Sequence, residues 1–252
     1  MKIPASVAAL PAVLFTLACG GGGAPGPEAA RGTATPAPTG RLGTASISGR
    51  VTYGGVVPAA KRLPLAADPW CAETRKEGLA QRPIRVKDGA LADVLVYVRG
   101  GLVGSYPPPP EEVLLDQVGC DYSPHMLVQR VGQKLRIRNS DDTLHNVHPR
   151  PKTNGEWNIA QPRKGTEVTK SFERSEIGIP VGCDVHPWMR AHISVLDHPF
   201  FGITGEDGRF EIKALPAGEY EIEAWHAMLK TRTTKLTVKD GEAASLDLAF
   251  GG

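Results

Sequence analysis

One short run of the sequence combines three side-chain types that bind soft transition metals. The run has a Cys-x-x-His-x-x-Met spacing, formed by Cys183, His186 and Met189. A thiolate, an imidazole and a thioether form a soft, mixed ligand set. Any one of these residues alone would more often be part of a core, since buried Cys and Met are common. Their joint spacing indicates a metal site.

This run contains only one histidine. A trigonal copper site with two His, one Cys and a weak axial Met needs a second imidazole. The segment from Asn139 to His148 supplies it upstream, because it contains His145 followed by Asn146. Zinc is the competing metal, since a tetrahedral site of Cys and His is chemically reasonable. Zinc sites rarely use Met, so the complete set favours copper.

Two blocks of the sequence resemble the cupredoxins, the type 1 blue copper proteins, and their amicyanin-like and plastocyanin-like members in particular. The blocks are PHMLVQRVGQKLRIRNSDDTLHNVH at 124–148 and CDVHPWMRAHISV at 183–195. The resemblance covers 112–197 and implies a Greek-key β-sandwich, here placed at 101–199. It also implies one type 1 copper per chain, with four metal ligands and an asparagine that braces the cysteine loop. These residues are His145, Cys183, His186 and Met189 as ligands, and Asn146 as the bracing residue.

The same resemblance predicts how electrons reach the metal. Outer-sphere transfer would pass through an exposed edge of His186, with Met189 and the surroundings of the sulfur setting the potential. Pro187 and Trp188 flank that histidine and would form an apolar docking patch for a partner. The alternative, equally favoured, is that Trp188 only packs the loop.

The remaining histidines have no defensible ligand spacing. His148 follows His145 by three positions and would either shield the site or lie in a surface loop. Trp225 and His226 suggest a second polar site, although an aromatic pair at a strand end is the better interpretation. The others without a predicted role are His125, His192 and His198.

The N-terminus is interpreted as an export signal over residues 1–18. A weakly positive start precedes an apolar run that is too short to span a bilayer. The run ends at Thr16-Leu17-Ala18-Cys19, which resembles a bacterial lipoprotein signal and implies lipidation of Cys19. An ordinary signal, with Cys19 lost or free, is the alternative. Both interpretations place the mature protein outside the cytoplasm, as a periplasmic protein or an outer-membrane lipoprotein of a bacterium.

Residues 19–45 are rich in Gly and Pro and predict a flexible tether. Beyond it, two cysteines remain once Cys19 and Cys183 are assigned. In an oxidising compartment Cys71 and Cys120 most simply form a disulfide, and two buried free thiols are the alternative.

The folded part is predicted to be all-β, because apolar residues alternate with polar ones in short runs bounded by turn residues. The run from Gly205 to Ile212 and that from Leu215 to Tyr220 resemble the carboxypeptidase regulatory-like, transthyretin-like β-sandwich. In that family two further strands precede these runs, but the C-terminal part of this chain lacks them. Residues 47–58 and 92–98 match the missing strands. We therefore expect a discontinuous sandwich, 46–100 plus 200–250, around the cupredoxin; three serial units are the alternative.

The expected function is transport of single electrons between a redox protein donor and acceptor. A copper oxidase or reductase would add a His-rich catalytic cluster, whereas this chain has seven His and no His-x-His pair. An interaction module with incidental copper is the third class. The net charge of +2, without a basic stripe, gives a nucleic-acid role little support.

Overall fold

A computed structural model describes residues 39–81 and 83–251. The predicted signal peptide and Cys19 lie outside these residues, as does most of the tether. The last predicted tether residues are already in contact with the folded part. Gly40 donates from its backbone N–H to the carbonyl of Ser105, and Gly43 donates to that of Ala214. The folded part therefore begins before residue 46.

The all-β prediction is confirmed, since strands dominate the described chain and its two helices are short. None of these helices is long and apolar enough to cross a membrane. The middle of the chain forms two sheets, ordered β13-β10-β7-β8 and β12-β11-β14-β15-β9. Their strands are β7 (Val113–Gln117), β8 (Tyr122–Ser123), β9 (Met126–Arg130), β10 (Leu135–Asn139), β11 (His145–Pro149), β12 (Ile159–Gln161), β13 (Glu167–Lys170), β14 (Glu176–Gly182) and β15 (Arg190–Leu196).

Two further sheets combine strands from before and after this middle part. One is ordered β17-β1-β5-β4, with β20 and β21 also paired to β1, and the other is ordered β16-β6-β18-β19. Alternate residues of β17 and β18 are buried, as the period of two requires. The strands are β1 (Ala45–Tyr53), β4 (Val86–Lys87), β5 (Ala90–Leu91), β6 (Leu95–Gly100), β16 (Phe201–Ile203), β17 (Arg209–Leu215), β18 (Gly218–Trp225), β19 (Arg232–Val238), β20 (Ala243–Ser245) and β21 (Leu248–Phe250).

Residues 61–81 form an excursion that we call the cap. It contains the two-stranded sheet of β2 (Lys61–Arg62) and β3 (Ala80–Gln81), a 3-10 helix (Leu65–Ala67) and α1 (Pro69–Thr74). Asp68 caps α1 by accepting the N–H of Cys71 at 3.0 Å, and proline at the first helical position suits this start.

The cap packs on the core of the middle part. Leu65 and Cys71 belong to the same buried cluster as Leu115, Ile137 and residues of β14 and β15. A separate cluster is built from β1, β6, β17 and β18. The sequence places the whole range 46–100 in the discontinuous sandwich. In the structure this range is divided between two cores, because the apolar side chains of the cap pack against the middle part.

The cap is joined covalently to the middle part. The disulfide expected between Cys71 and Cys120 is present, and both residues are fully buried. Arg75, at the end of α1, adds a hydrogen bond from Nε to the carbonyl of Gly119 at 2.9 Å. Gly119 and Cys120 both have positive φ, of 63° and 60°, so the backbone turns sharply where the cap is attached.

Loss of this crosslink is expected to destabilise the protein strongly. The two cysteines are separated by 49 positions, and chain entropy assigns about 4 kcal/mol to a crosslink that closes a loop of this length. We expect the Cys71→Ala/Cys120→Ala double variant to lose about that much free energy of unfolding in denaturant titrations of the metal-free protein. Cys183→Ala, which removes a buried thiol outside the crosslink, is the control. A loss of less than about 1 kcal/mol in the double variant would contradict the prediction.

Candidate metal centre

Strand ends bring the predicted ligands together. His145 is the first residue of β11, while Cys183 follows the last residue of β14 and Met189 precedes the first residue of β15. β14 pairs with both neighbours, and its final residue Gly182 lies opposite His148 of β11. The loop 183–189 therefore lies beside the start of β11, and all three strands are fixed by backbone hydrogen bonds.

Three candidate ligand atoms lie close together in the interior. Ring or sulfur atoms of His145, Cys183 and His186 are all within 4.8 Å of one another. The two Nδ1 atoms are 2.9 Å apart, and the sulfur is 3.9 Å from Nδ1 of His186. Two ligands of one ion are separated by at most about twice a bond length, roughly 4–5 Å. All three residues are buried, so the donor set fits one transition-metal ion shielded from water.

The Nε2 atoms of both imidazoles contact carboxylates. Nε2 of His145 lies 2.9 Å from Oδ2 of Asp141, and Nε2 of His186 lies 2.9 Å from Oδ2 of Asp68. A carboxylate accepts, so each Nε2 carries the proton and each Nδ1 presents a lone pair. Two lone pairs facing each other at 2.9 Å repel unless a cation lies between them. A metal ion, or in its absence a proton, resolves this repulsion.

These contacts displace the pKa values of Asp141, His145 and Asp68. Burial alone would raise the pKa of the Asp141 carboxyl, but hydrogen bonds from His145 and from the N–H groups of Cys120 and Gly119 hold it below its usual value. Burial alone would lower the pKa of His145, but the contacts with Asp141 and Cys183 raise it. Burial likewise opposes ionisation of Asp68, whose pKa is nevertheless lowered by its hydrogen-bond donors.

Cys183 has the surroundings of a thiolate. Its sulfur accepts the backbone N–H of His186 at 3.3 Å. In the thiol form the same sulfur donates to Oδ1 of Asn146 at 3.2 Å, which opposes ionisation. Burial by itself would raise the pKa of this thiol, but the neighbouring His145 and His186 side chains lower it to about 6. The thiolate is the form that binds metals, so the site favours that form.

Asn146 lies beside the cysteine loop. Its Oδ1 accepts the backbone N–H groups of Asp184 at 2.7 Å and Val185 at 3.3 Å. Its Nδ2 donates to Oδ1 of Asn158 at 2.7 Å. The amide therefore connects β11 to the loop that carries the sulfur and fixes their separation.

Met189 closes the loop from the other side. It is fully buried, its N–H donates to the carbonyl of His186 at 2.9 Å, and its carbonyl accepts the N–H of Cys183 at 3.3 Å. The backbone thus forms a tight turn that holds the first and last predicted ligands of the run against each other.

The predicted exposed edge of His186 is wrong. The residue is 2% exposed, because the cap covers it. Asp68 meets its Nε2, and the sulfur of Cys71 lies 3.9 Å from the same atom. The sequence assigned the cap to the other sandwich, so it gave no reason to place these residues over the imidazole.

Only half of the predicted docking patch is on the surface. Pro187 is exposed, but Trp188 is 9% exposed and its indole N–H donates to the carbonyl of Cys120 at 3.1 Å. Its ring is 5.0 Å from the ring of His186. The sequence left open whether Trp188 forms a docking patch or packs the loop. In the structure it packs the loop.

Asp68 and Asp141 are the functional residues that sequence reasoning missed. Asp68 carries a weak signal, because an acidic residue before Pro69 is typical of a helix start. Asp141 lies four positions before His145 in the run that supplied that histidine. Neither signal indicates contact with an imidazole, since both contacts depend on how the chain folds back on itself.

The other histidines lie apart from the ligand cluster. His148 contacts Asp184 and Glu156 near the loop surface, at 3.0 and 2.7 Å. His226 is buried, and burial lowers its pKa to about 4. Two further groupings combine a carboxylate and an imidazole with Cys71 or Cys120, but their sulfurs form the disulfide and are not thiolates.

Comparison with known proteins gives partial structural likeness. No protein-family model matches the chain, and a search of curated proteins gave no match. A Cu(I) structure of an amicyanin variant matches with 23% identity and a TM-score of 0.30, covering 33% of this chain and 81% of that one. A purple cupredoxin from Nitrosopumilus maritimus matches with 20% identity and a TM-score of 0.29, covering 33% and 98%. At these values the likeness carries no argument about the site, so the metal assignment depends on the side-chain geometry.

The lowered pKa of Cys183 is testable in the metal-free protein. We expect the ultraviolet absorbance of a single thiolate to appear as the pH rises through about 6, because neighbouring imidazoles stabilise the anion. Cys183→Ala should lack this transition, and His125→Gln, an imidazole change outside the ligand cluster, should keep it. A transition at the ordinary value of about 8.5 would contradict the prediction.

Proposed function

We propose that this protein is an exported type 1 copper protein that carries single electrons between redox partners. The observation that carries the proposal is the meeting of one cysteine sulfur and two imidazole nitrogens within 4.8 Å of one another, inside a buried site. Cys183, His145 and His186 would hold the ion, with Met189 as the weak axial ligand. Copper bound there would supply a one-electron couple.

The chain's own residues support electron transfer with little rearrangement. Backbone hydrogen bonds fix β11, β14 and β15 on either side of the site, and Asn146 connects β11 to the loop. The imidazoles are held through Nε2 and the sulfur accepts the N–H of His186. Such outer hydrogen bonds orient the ligands and tune the metal. Rigid ligands favour a carrier, because little energy is spent on moving atoms when the charge changes.

Burial of the site favours a carrier over an enzyme. A catalytic metal keeps an open position for water or substrate. His145, Cys183 and Met189 are at most 4% exposed, and the cap covers the remaining ligand, His186. Electrons cross such a cover by tunnelling, whereas a substrate would have to displace it. We therefore favour outer-sphere transfer over copper-dependent oxidation of a bound substrate.

The cover moves the expected docking surface away from His186 itself. The ring of Trp188 touches that imidazole and also lines a cleft of about 870 Å³. Trp225, Arg190 and His192 line the same cleft. We propose that a redox protein donor or acceptor approaches at the cap or at this cleft, where Trp188 connects the surface to His186.

The proposed location is the periplasm, with attachment to a membrane through a lipid at Cys19. The Cys71–Cys120 disulfide supports export, because disulfides persist in oxidising compartments. The alternative function is a β-sandwich interaction module with incidental copper. It would leave the carboxylates on both imidazoles without a purpose.

Loading with copper tests the proposed function. We expect the protein to bind one Cu(II) per chain and to become blue or green, because charge transfer from the Cys183 thiolate absorbs visible light. Cys183→Ser should bind copper without that colour. His125→Gln is the matched control, since this side chain lies outside the ligand cluster, and it should keep the colour.

A colourless copper-loaded protein, or a Cys183→Ser variant with unchanged colour, would contradict the electron carrier. Competition between zinc and copper at equal concentration would show which metal the site selects. Steady-state turnover with reductants and oxygen then separates the carrier from an oxidase, for which sustained turnover is expected.

A further inference from the structure

The cap contributes a partly buried carboxylate to the candidate metal centre. Asp68 uses Oδ1 to cap α1 at the N–H of Cys71, which leaves Oδ2 for other donors. Oδ2 accepts from Nε2 of His186 at 2.9 Å and from the hydroxyl of Thr143 at 2.8 Å. The Asp68 side chain is 15% exposed. Both oxygens of this carboxylate are thus hydrogen-bonded, and one of the three contacts orients a predicted ligand.

Asp141 has the same relation to the other imidazole. One of its oxygens accepts the N–H of Gly119 at 2.7 Å, and the other accepts that of Cys120 at 2.7 Å and lies 2.9 Å from Nε2 of His145. The carboxylate is 2% exposed. The left-handed backbone at Gly119 and Cys120 directs both N–H groups to it.

One disulfide holds both carboxylates in place. Asp68 accepts the N–H of Cys71, and Asp141 accepts the N–H of Cys120. The sulfurs of these two cysteines are bonded to each other, and Cys71 Sγ lies 3.9 Å from His186. The two imidazoles are therefore positioned from a single covalent bridge between the cap and the middle part.

We propose that Asp68 is a positioning residue of the metal centre, which acts together with Asp141 to hold the two imidazoles and to favour the oxidised ion. This inference rests on the proposed function, because it assigns a role to the cap in a copper site. Asp68 touches no reacting atom; it acts through His186.

The first part of the argument is orientation. A carboxylate on Nε2 fixes the tautomer in which Nδ1 carries the lone pair, and it prevents rotation of the ring. Partners of this kind raise the basicity of a ligating imidazole, and their mutation typically costs about 10- to 100-fold in metal affinity. Asp141 lies in the loop that leads into β11, whereas Asp68 lies in the cap, so the contribution of Asp68 requires a docked cap.

The second part is charge. The thiolate of Cys183 and two carboxylates place three negative groups around one ion in an interior that screens charges poorly. Cu(II) gains more from these groups than Cu(I), because it carries one more positive charge. Removal of one carboxylate is therefore expected to weaken the binding of Cu(II) more than that of Cu(I), and so to raise the reduction potential.

The test compares the wild-type protein with two neutral variants of Asp68. Asp68→Asn and Asp68→Ser both keep a good helix cap for α1, but neither offers a carboxylate to His186. We expect Cu(II) affinity to fall about 10- to 100-fold with a smaller change for Cu(I). A tenfold change in their ratio raises the potential by 59 mV for a one-electron couple. Asp68→Glu, which keeps the charge, is expected to remain closer to the wild type.

The matched control is Asp142→Asn, which removes one negative charge from an exposed position beside Thr143. It should leave Cu(II) affinity within about twofold of the wild type, since water screens that charge. Equal affinities and potentials for Asp68→Asn and Asp142→Asn would overturn the proposal. Failure of both neutral variants to fold, shown by thermal melts of the metal-free proteins, would also overturn it in favour of a purely structural role.

A measurement without metal separates this inference from the proposed function. In the metal-free wild type, the Nε2 proton of His186 should appear in NMR spectra as a slowly exchanging imidazole N–H, because it is buried and bonded to Asp68. It should be lost in Asp68→Asn and kept in Asp142→Asn. A wild type that shows this proton but binds no copper would refute the carrier alone, while absence of the proton would refute the role of Asp68.

Discussion

Two imidazole nitrogens that face each other at 2.9 Å form the constraint on which the rest of the site depends. In a dry interior, each ring must satisfy its other nitrogen, or it loses the free energy of an unmade hydrogen bond. Asp141 and Asp68 supply that partner for His145 and His186. Because each ring is held at Nε2, the Nδ1 lone pairs face each other. The sulfur of Cys183 is the third candidate ligand atom of this cluster.

Convergence of this kind requires distant segments to be held together. Asp68 comes from the cap, while His186 and Cys183 come from the loop between β14 and β15. Hydrogen bonds between strands fix the loop against β11, but no strand of the middle part pairs with the cap in the described chain. The disulfide and the burial of Leu65 and Cys71 hold the cap against the middle part instead. The site is therefore built partly on sheet geometry and partly on one covalent bond.

Much of this arrangement was predictable from the sequence, and the reason is locality. The spacing of Cys183, His186 and Met189 is contained in one loop, and the all-β fold follows from short-range alternation of apolar residues. The pairing of Cys71 with Cys120 followed from the other roles assigned to Cys19 and Cys183 and from the oxidising compartment. The cap contacts were not predictable, because Asp68 lies more than a hundred positions from His186 and its local signal describes only a helix start. Exposure of His186 was predicted wrongly for the same reason.

Because the cap covers His186, the sheets that contain β1 and β6 have a larger part in the expected docking surface. If His186 were open to solvent, partner choice would depend on the ligand loop alone, and the flanking strands would only display it. With the cap in place, an aromatic ring next to His186 still reaches a cleft: Trp188 lines it together with Trp225 of β18. That cleft is formed jointly by the cap, the middle part and the strands that follow it. In the proposed carrier, access to the metal would therefore depend on the whole described chain, and the cap that covers His186 would also decide from which side an electron arrives.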